Sequence, residues 1–196
     1  MTIAHYCPKK VGLLGGSFNP AHAGHRHISL EALKRLGLDE VWWLVSPANP
    51  LKDPAVLAPY ETRLAQAKAM AAHPRIRVLD IEQKLDARYT IDTVKALQRH
   101  YPSARFIWLM GADNMAGFHY WRRWQEIAAC IPVAVVDRLP YHYGALGGRF
   151  AHYFAAYRVH ESRARLLASL PPPAWTYLFI PPHPLSSTQL RKTLGK

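Results

Sequence analysis

The residues best suited to chemistry lie together in Gly15-Gly16-Ser17-Phe18-Asn19-Pro20-Ala21-His22-Ala23-Gly24-His25. Gly15 and Gly16 carry no side chain, so the backbone there can approach a ligand closely. Pro20 stiffens the turn. His22 and His25 are three residues apart, which in a first helical turn projects them to roughly one side. A helix starting near Ala23 or Gly24 turns its free N–H groups and positive dipole end to the same loop. Amide and imidazole donors that converge in this way suit a phosphate. The loop lacks the Gly-Lys-Ser/Thr ending of a P-loop, and Gly12, Gly15 and Gly16 do not spell GxGxxG. A metal site on His22 and His25 has no evident third ligand. His27 reads as a surface or packing histidine.

A second candidate lies near the other end of the chain, in Leu185-Ser186-Ser187-Thr188-Gln189-Leu190-Arg191. Pro181, Pro182 and Pro184 prevent an earlier helix start, and Ser and Thr favour the N-cap. A helix beginning near Ser187 offers another anion-binding end. Arg191, one turn in, could reach a phosphate with its fork. Read by themselves, the same residues also describe a capped helix with a solvated arginine.

Three further segments lie between these. Arg88-Tyr89-Thr90-Ile91-Asp92-Thr93 precedes a helical pattern, with Thr90 or Asp92 as cap. Gly111-Ala112-Asp113-Asn114 follows an apolar run, where an Asp can accept from ribose hydroxyls. Trp121 and Trp124 share one helical face by spacing, a pattern that serves core packing or an aromatic platform.

The elements that must hold these residues alternate. Apolar runs at Val11–Leu14, Val41–Val45, Ile76–Leu79, Phe106–Leu109, Val133–Val136 and Trp175–Ile180 read as strands. Ile28, Ala32, Leu33 and Leu36 recur at helical spacing before Gly37, a C-cap. Helices are also expected over Arg63–Ala72, Thr93–His100, Trp121–Ala129 and Ser187–Leu194, with a Pro-rich loop over Ser46–Pro54. This order predicts an α/β fold, a doubly wound parallel sheet with helices on both faces. Leu139–Pro173 shows aromatic and basic residues without clean periodicity.

The chain has 196 residues and 49% hydrophobic content, enough for one sizeable core. No apolar stretch reaches membrane-span length, and the first ten residues do not read as a secretory signal. The two cysteines, Cys7 and Cys130, have no paired spacing, which fits a reduced, cytoplasmic setting. A net charge of +12, spread along the chain, favours anionic ligands. RNA is one such ligand, yet no RNP, KH or zinc-knuckle pattern is present, and an RNA-binding module leaves the glycine loop unexplained.

The segment GGSFNPAHAGH resembles the G-x-F-D/N-P-x-H-x-G-H signature of the nucleotidyltransferase superfamily, whose sheet is Rossmann-like. LSSTQLR resembles the I-S-S-T-x-I/L-R motif that closes the ATP site there. Tyr89-Thr90, Asp92-Thr93, the Gly111-Ala112-Asp113 turn and the tryptophan after it are similar to bacterial nicotinate-nucleotide adenylyltransferases. The resemblance implies that His22, His25 and Arg191 act on the ATP phosphates in catalysis. It implies that Gly15, Gly16, Ser17, Phe18, Gly111, Asp113, Ser187 and Thr188 complete the ATP site. It gives nicotinate mononucleotide to Lys52, Tyr89, Thr90, Asp113, Trp121 and Arg138, with Trp121 stacked on the pyridine ring. Mg²⁺ is expected to enter on the substrate phosphates rather than on a protein cage. Asn19 stands where many relatives have Asp, and only five residues follow Arg191, where many relatives continue. The expectation is a single domain, residues 1–196, completed by a C-terminal segment from about residue 174. Nicotinamide mononucleotide and phosphopantetheine stay open as acceptors, nucleic-acid and membrane partners are not expected, and oligomeric state is not legible.

Overall fold

The computed structural model describes residues 10–47, 56–84, 87, 89–138 and 141–181. Lys52, Arg88, Ser187, Thr188 and Arg191, and with them the helix expected over Ser187–Leu194, lie outside the described residues.

Seven strands form one parallel sheet in the order β3-β2-β1-β4-β5-β7-β6. They are β1 (Lys10–Gly16), β2 (Glu40–Val45), β3 (Ile76–Leu79), β4 (Arg105–Gly111), β5 (Val133–Val136), β6 (Arg158–Val159) and β7 (Trp175–Leu178). The helices are α1 (Ala23–Arg35), α2 (Tyr60–Met70), α3 (Ile81–Lys84), α4 (Thr90–His100), α5 (Ala112–Ala116), α6 (Trp124–Cys130), α7 (His142–Leu146) and α8 (Arg149–Tyr153).

The central strands are continuous apolar runs because both faces of the sheet are covered. Strand alternation then sorts their side chains. Trp42 and Leu44 of β2 join Val11 and Leu13 of β1 and Ile91, Val94 and Leu97 of α4 in one core. Val41, Trp43 and Val45 point the other way, to Ala32 and Leu33 of α1, Leu64 and Ala67 of α2, and the 3₁₀ segment Glu161–Ser169. Helices thus cover both faces, as the alternation predicts. Gly37 follows α1 in the left-handed region (φ 62°), where glycine ends a helix cheaply.

Chain order reverses between β1 and β4. The chain runs outward through β2 and β3, then returns to β4 on the other side of β1. The carboxyl ends of strands flanking such a reversal form the ligand crevice of open α/β sheets. Gly15-Gly16 and Gly111 are at those two ends.

Several local expectations are corrected. The helix expected from Trp121 begins at Trp124, because Arg123 takes a left-handed conformation (φ 57°) that breaks the turn. Trp121 instead ends the 3₁₀ turn Phe118–Tyr120 with extended backbone, so it shares no helical face with Trp124. Neither Thr90 nor Asp92 caps α4; both are inside it, and Tyr89 holds the N-cap position without a side-chain cap bond. Residues 141–173 hold α7, α8, two 3₁₀ segments and β6. Their order comes from aromatic packing: Phe150 meets Phe118, Trp124, Phe154 and Trp175 at centroid distances of 5.2–6.4 Å.

Candidate active site

The loop after β1 is built from inside the protein as much as for a ligand. A Cβ on Gly15 would lie 2.6 Å from the Trp108 ring, so close packing against β4 requires glycine there. Phe18 holds a left-handed backbone (φ 46°) and is fully buried, stacked on Trp43 at 5.0 Å and tilted on His25 at 4.7 Å. A non-glycine residue in that region is strained, and such strain persists where surrounding packing over-determines it. Asn19 donates from Nδ2 to the Val56 carbonyl (2.8 Å) and accepts at Oδ1 from the Ala58 N–H (3.1 Å). An aspartate could supply only the second bond.

The two histidines interlock at the start of α1. His22 is the N-cap, and its Nδ1 accepts from the Gly24 N–H at 3.0 Å. His25 Nδ1 accepts in return from the His22 N–H at 3.2 Å. This is a capping box made of imidazoles rather than of Ser and Glu. With each Nδ1 an acceptor, the neutral rings carry their protons on Nε2. The ring centroids lie 3.9 Å apart, so the two Nε2–H groups belong to neighbouring rings. Beneath them, the Trp43 indole donates to Ser29 Oγ (2.7 Å), which donates to the His25 carbonyl (2.9 Å).

Arg63, in α2, is the residue that sequence reasoning missed most completely. It is 1% exposed, and its guanidinium donates to the carbonyls of Ser17, Ser46, Pro47 and Ala58 at 2.7–2.9 Å. One buried fork therefore ties the β1 loop to the segment leaving β2. In a trans peptide the C=O and N–H point in opposite directions. Holding the Ser17 carbonyl on Arg63 therefore turns the Phe18 N–H away from it. The other missed link is His27, whose Nε2 lies 2.9 Å from the Pro181 carbonyl. The chain thus leaves the described region beside α1, the helix that carries both histidines.

Across the reversal, Asp113 is at the start of α5, and Arg138 Nη1 donates to its Oδ2 at 2.9 Å. Both were expected near ligand; the structure pairs them with each other. Asp113 Oδ1 is buried, without a hydrogen-bond partner among the described residues. Trp121 is half-buried, edge-on to Trp108 (6.2 Å) and tilted on Phe118 (5.1 Å). Arg122 lies with its guanidinium 4.7 Å over the Tyr89 ring, which joins the Trp121 turn to the start of α4. Because no side chain caps α4, the first-turn N–H groups of Thr90 and Ile91 are not used by a cap.

Glu82, buried in α3, accepts hydrogen bonds from Ser46 and from Thr93 of α4. Burial pushes its carboxyl up to about 7, although those two bonds pull the other way. The folded chain therefore binds more protons than the unfolded chain between pH 4.5 and about 7. Stability contributed by Glu82 is full below that window and lost as pH rises through it. The loss amounts to about 3 kcal/mol. Glu82→Gln should remove this part of the slope, so that urea unfolding at about pH 5 and about pH 8 separates the two proteins. Equal pH dependence in both would contradict the assignment. Among the described residues, no three His, Cys, Asp or Glu side chains cluster to hold a metal ion.

The cytidylyltransferase-like family model matches residues 13–193, a span that includes nearly all of the parallel sheet and the donor-lined loop and helix start at its point of reversal. A protein of Methylorubrum extorquens strain PA1, named a probable nicotinate-nucleotide adenylyltransferase, is 54% identical over 182 residues, covering 93% of this chain and 98% of its own. One of the same name from Bradyrhizobium sp. strain ORS 278 is 52% identical over 186 residues, covering 95% and 97%. The chain belongs to the nicotinate-nucleotide adenylyltransferase family. The fold agrees: the solved Plasmodium falciparum nicotinic acid mononucleotide adenylyltransferase complexed with NaAD superposes with a TM-score of 0.70 at 18% identity, covering 95% of this chain and 84% of that one.

Proposed function

We propose that the chain transfers the adenylyl group of ATP to nicotinate mononucleotide, releasing pyrophosphate and forming nicotinate adenine dinucleotide for NAD biosynthesis. The observation that carries this reading is the interlocked His22–His25 cap at the β1/β4 reversal. Its Nε2–H donors and the dipole of α1 favour an anion there. The acceptor phosphate is an anion at neutral pH and attacks the α-phosphorus in line, so no general base is needed. Catalysis is then positioning and charge stabilisation. His22 and His25 donate to the triphosphate as charge moves onto the leaving pyrophosphate. Gly15, Gly16, Ser17 and Phe18 bring the loop backbone alongside ATP, with Gly111 and Asp113 across the crevice. Lys52, Ser187, Thr188 and Arg191, outside the described residues, add further phosphate contacts in this reading. Mg²⁺ would be bound mainly through the ATP phosphates, with few protein ligands, and would offset their charge.

For the acceptor, Tyr89 and Thr90 at the start of α4 offer main-chain donors to the nicotinate carboxylate. Trp121 offers its indole face to the pyridine ring. Asp113 Oδ1 needs a donor, and a ribose hydroxyl supplies one. Arg138 holds Asp113 in place for that bond and lends positive charge to the acceptor side. The chain acts as a single domain in the cytoplasm, without nucleic-acid or membrane partners. No helix among the described residues is long and apolar enough to cross a membrane.

ATP radiolabelled at the α-phosphorus tests the bond that breaks. Label should pass into the dinucleotide and none into pyrophosphate; label in pyrophosphate would refute adenylyl transfer. Trp121→Ala should raise the KM for the acceptor about tenfold while leaving the KM for ATP within about twofold. An unchanged acceptor KM would remove Trp121 from the site.

A further inference from the structure

We propose that Arg122 is a specificity-determining residue, whose guanidinium meets the carboxylate of the nicotinate ring and sets the preference for nicotinate over nicotinamide mononucleotide. The inference rests on the acceptor proposed above and adds the group that reads its charge.

The argument begins with the backbone. The left-handed turn at Arg123 separates Trp121 and Arg122 from helix α6. Arg122 extends from this turn to the start of α4, where its guanidinium lies 4.7 Å over the Tyr89 ring and its Nη1 is 3.4 Å from the Tyr89 hydroxyl. One side chain thus spans the two elements assigned above to the acceptor ring, following Trp121 directly and covering the residue before Thr90. The Tyr89 face and hydroxyl set the direction of the guanidinium without neutralising it.

Among the described residues, the cations beside Arg122 are committed elsewhere. Arg123 forms a two-pronged ion pair with Glu126 at 2.6 and 2.7 Å, and Arg138 is paired with Asp113 at 2.9 Å. Among the described residues, Arg122 has no carboxylate partner, and its side chain is exposed. Its five N–H donors form a planar fork that matches a carboxylate. The single bond to Tyr89, at 3.4 Å, is a long one and leaves most of that fork unused.

The two candidate acceptors have nearly the same shape and differ in one group, an anionic carboxylate against a neutral carboxamide. Main-chain N–H groups at the start of α4 can donate to the oxygen of either. A fixed cation separates them better, because it gains charge-assisted bonds from the carboxylate and faces an uncharged group, half of it N–H, in the carboxamide. Screening by solvent keeps the effect moderate at an exposed position.

Steady-state kinetics of the whole enzyme with both acceptors, in the parent and in Arg122→Gln and Arg122→Lys, tests the proposal. In Arg122→Gln, kcat/KM for nicotinate mononucleotide should fall about tenfold, mainly through KM, while that for nicotinamide mononucleotide stays within about twofold. Arg122→Lys should recover part of the preference, because it restores charge without the fork. Added salt should erode the parent's preference and leave that of Arg122→Gln nearly constant. An equal fall for both acceptors, or an undiminished preference in Arg122→Gln, overturns the role of Arg122 and leaves the proposed reaction standing. If the parent releases no pyrophosphate with nicotinate mononucleotide, the reaction and this inference fall together.

Discussion

His25→Ala is expected to lower turnover at saturating ATP and acceptor by about 10²-fold or more, with little loss of stability. The two effects separate because the ring has two distinct edges. Its Nδ1 closes the capping box on the His22 N–H, worth about 1 kcal/mol as a cap. Its Nε2–H is the edge assigned to the triphosphate, where a donor that strengthens in the transition state is worth about 3 kcal/mol. Ser29 still donates to the carbonyl of residue 25 in the variant, and Trp43 still supports Ser29. Pyrophosphate release measured beside urea unfolding distinguishes the two contributions. Near-normal turnover would remove His25 from the reaction.

Arg63→Ala should produce the largest loss of stability, about 3–5 kcal/mol. Four carbonyls, from Ser17, Ser46, Pro47 and Ala58, lose their donor at once in a buried setting. The same change releases the Ser17–Phe18 peptide, so the KM for ATP should rise as the chain weakens. Arg63→Lys supplies up to three donors without the planar fork and should fall between the parent and alanine. Urea unfolding and the KM for ATP check both expectations. An alanine variant within about 1 kcal/mol of the parent would show that water replaces the guanidinium easily, and that the loop does not depend on it.

The parts of this molecule that were legible in the sequence share a physical cause. Strands buried on both faces must be apolar throughout, so Val41–Val45, Phe106–Leu109 and Val133–Val136 stand out in the sequence. The Gly15–His25 segment is legible because a strand, a glycine turn and a helix start must follow one another within a few residues. Arg63 was not legible, since an arginine in a helix usually faces solvent, and only the fold brings four carbonyls around it. Glu82 was hidden in the same way, on a helix of four residues too short to show a period. The turn at Arg123 had no signal either, because left-handed backbone is read from glycine or asparagine and arginine rarely adopts it. The Asp113–Arg138 pair joins residues 25 apart, each plausible as a ligand contact when read separately. Gly15 was expected for the ligand's sake, and Trp108 supplies a second reason for it.

The central claim is adenylyl transfer onto a nicotinate nucleotide, and it is tested most directly by pyrophosphate release from ATP in the presence of Mg²⁺. The acceptors to compare are nicotinate mononucleotide, nicotinamide mononucleotide and phosphopantetheine. The account predicts the fastest release with nicotinate mononucleotide, slower release with nicotinamide mononucleotide, and none above background with phosphopantetheine. Release driven by phosphopantetheine, or by none of the three, would contradict it.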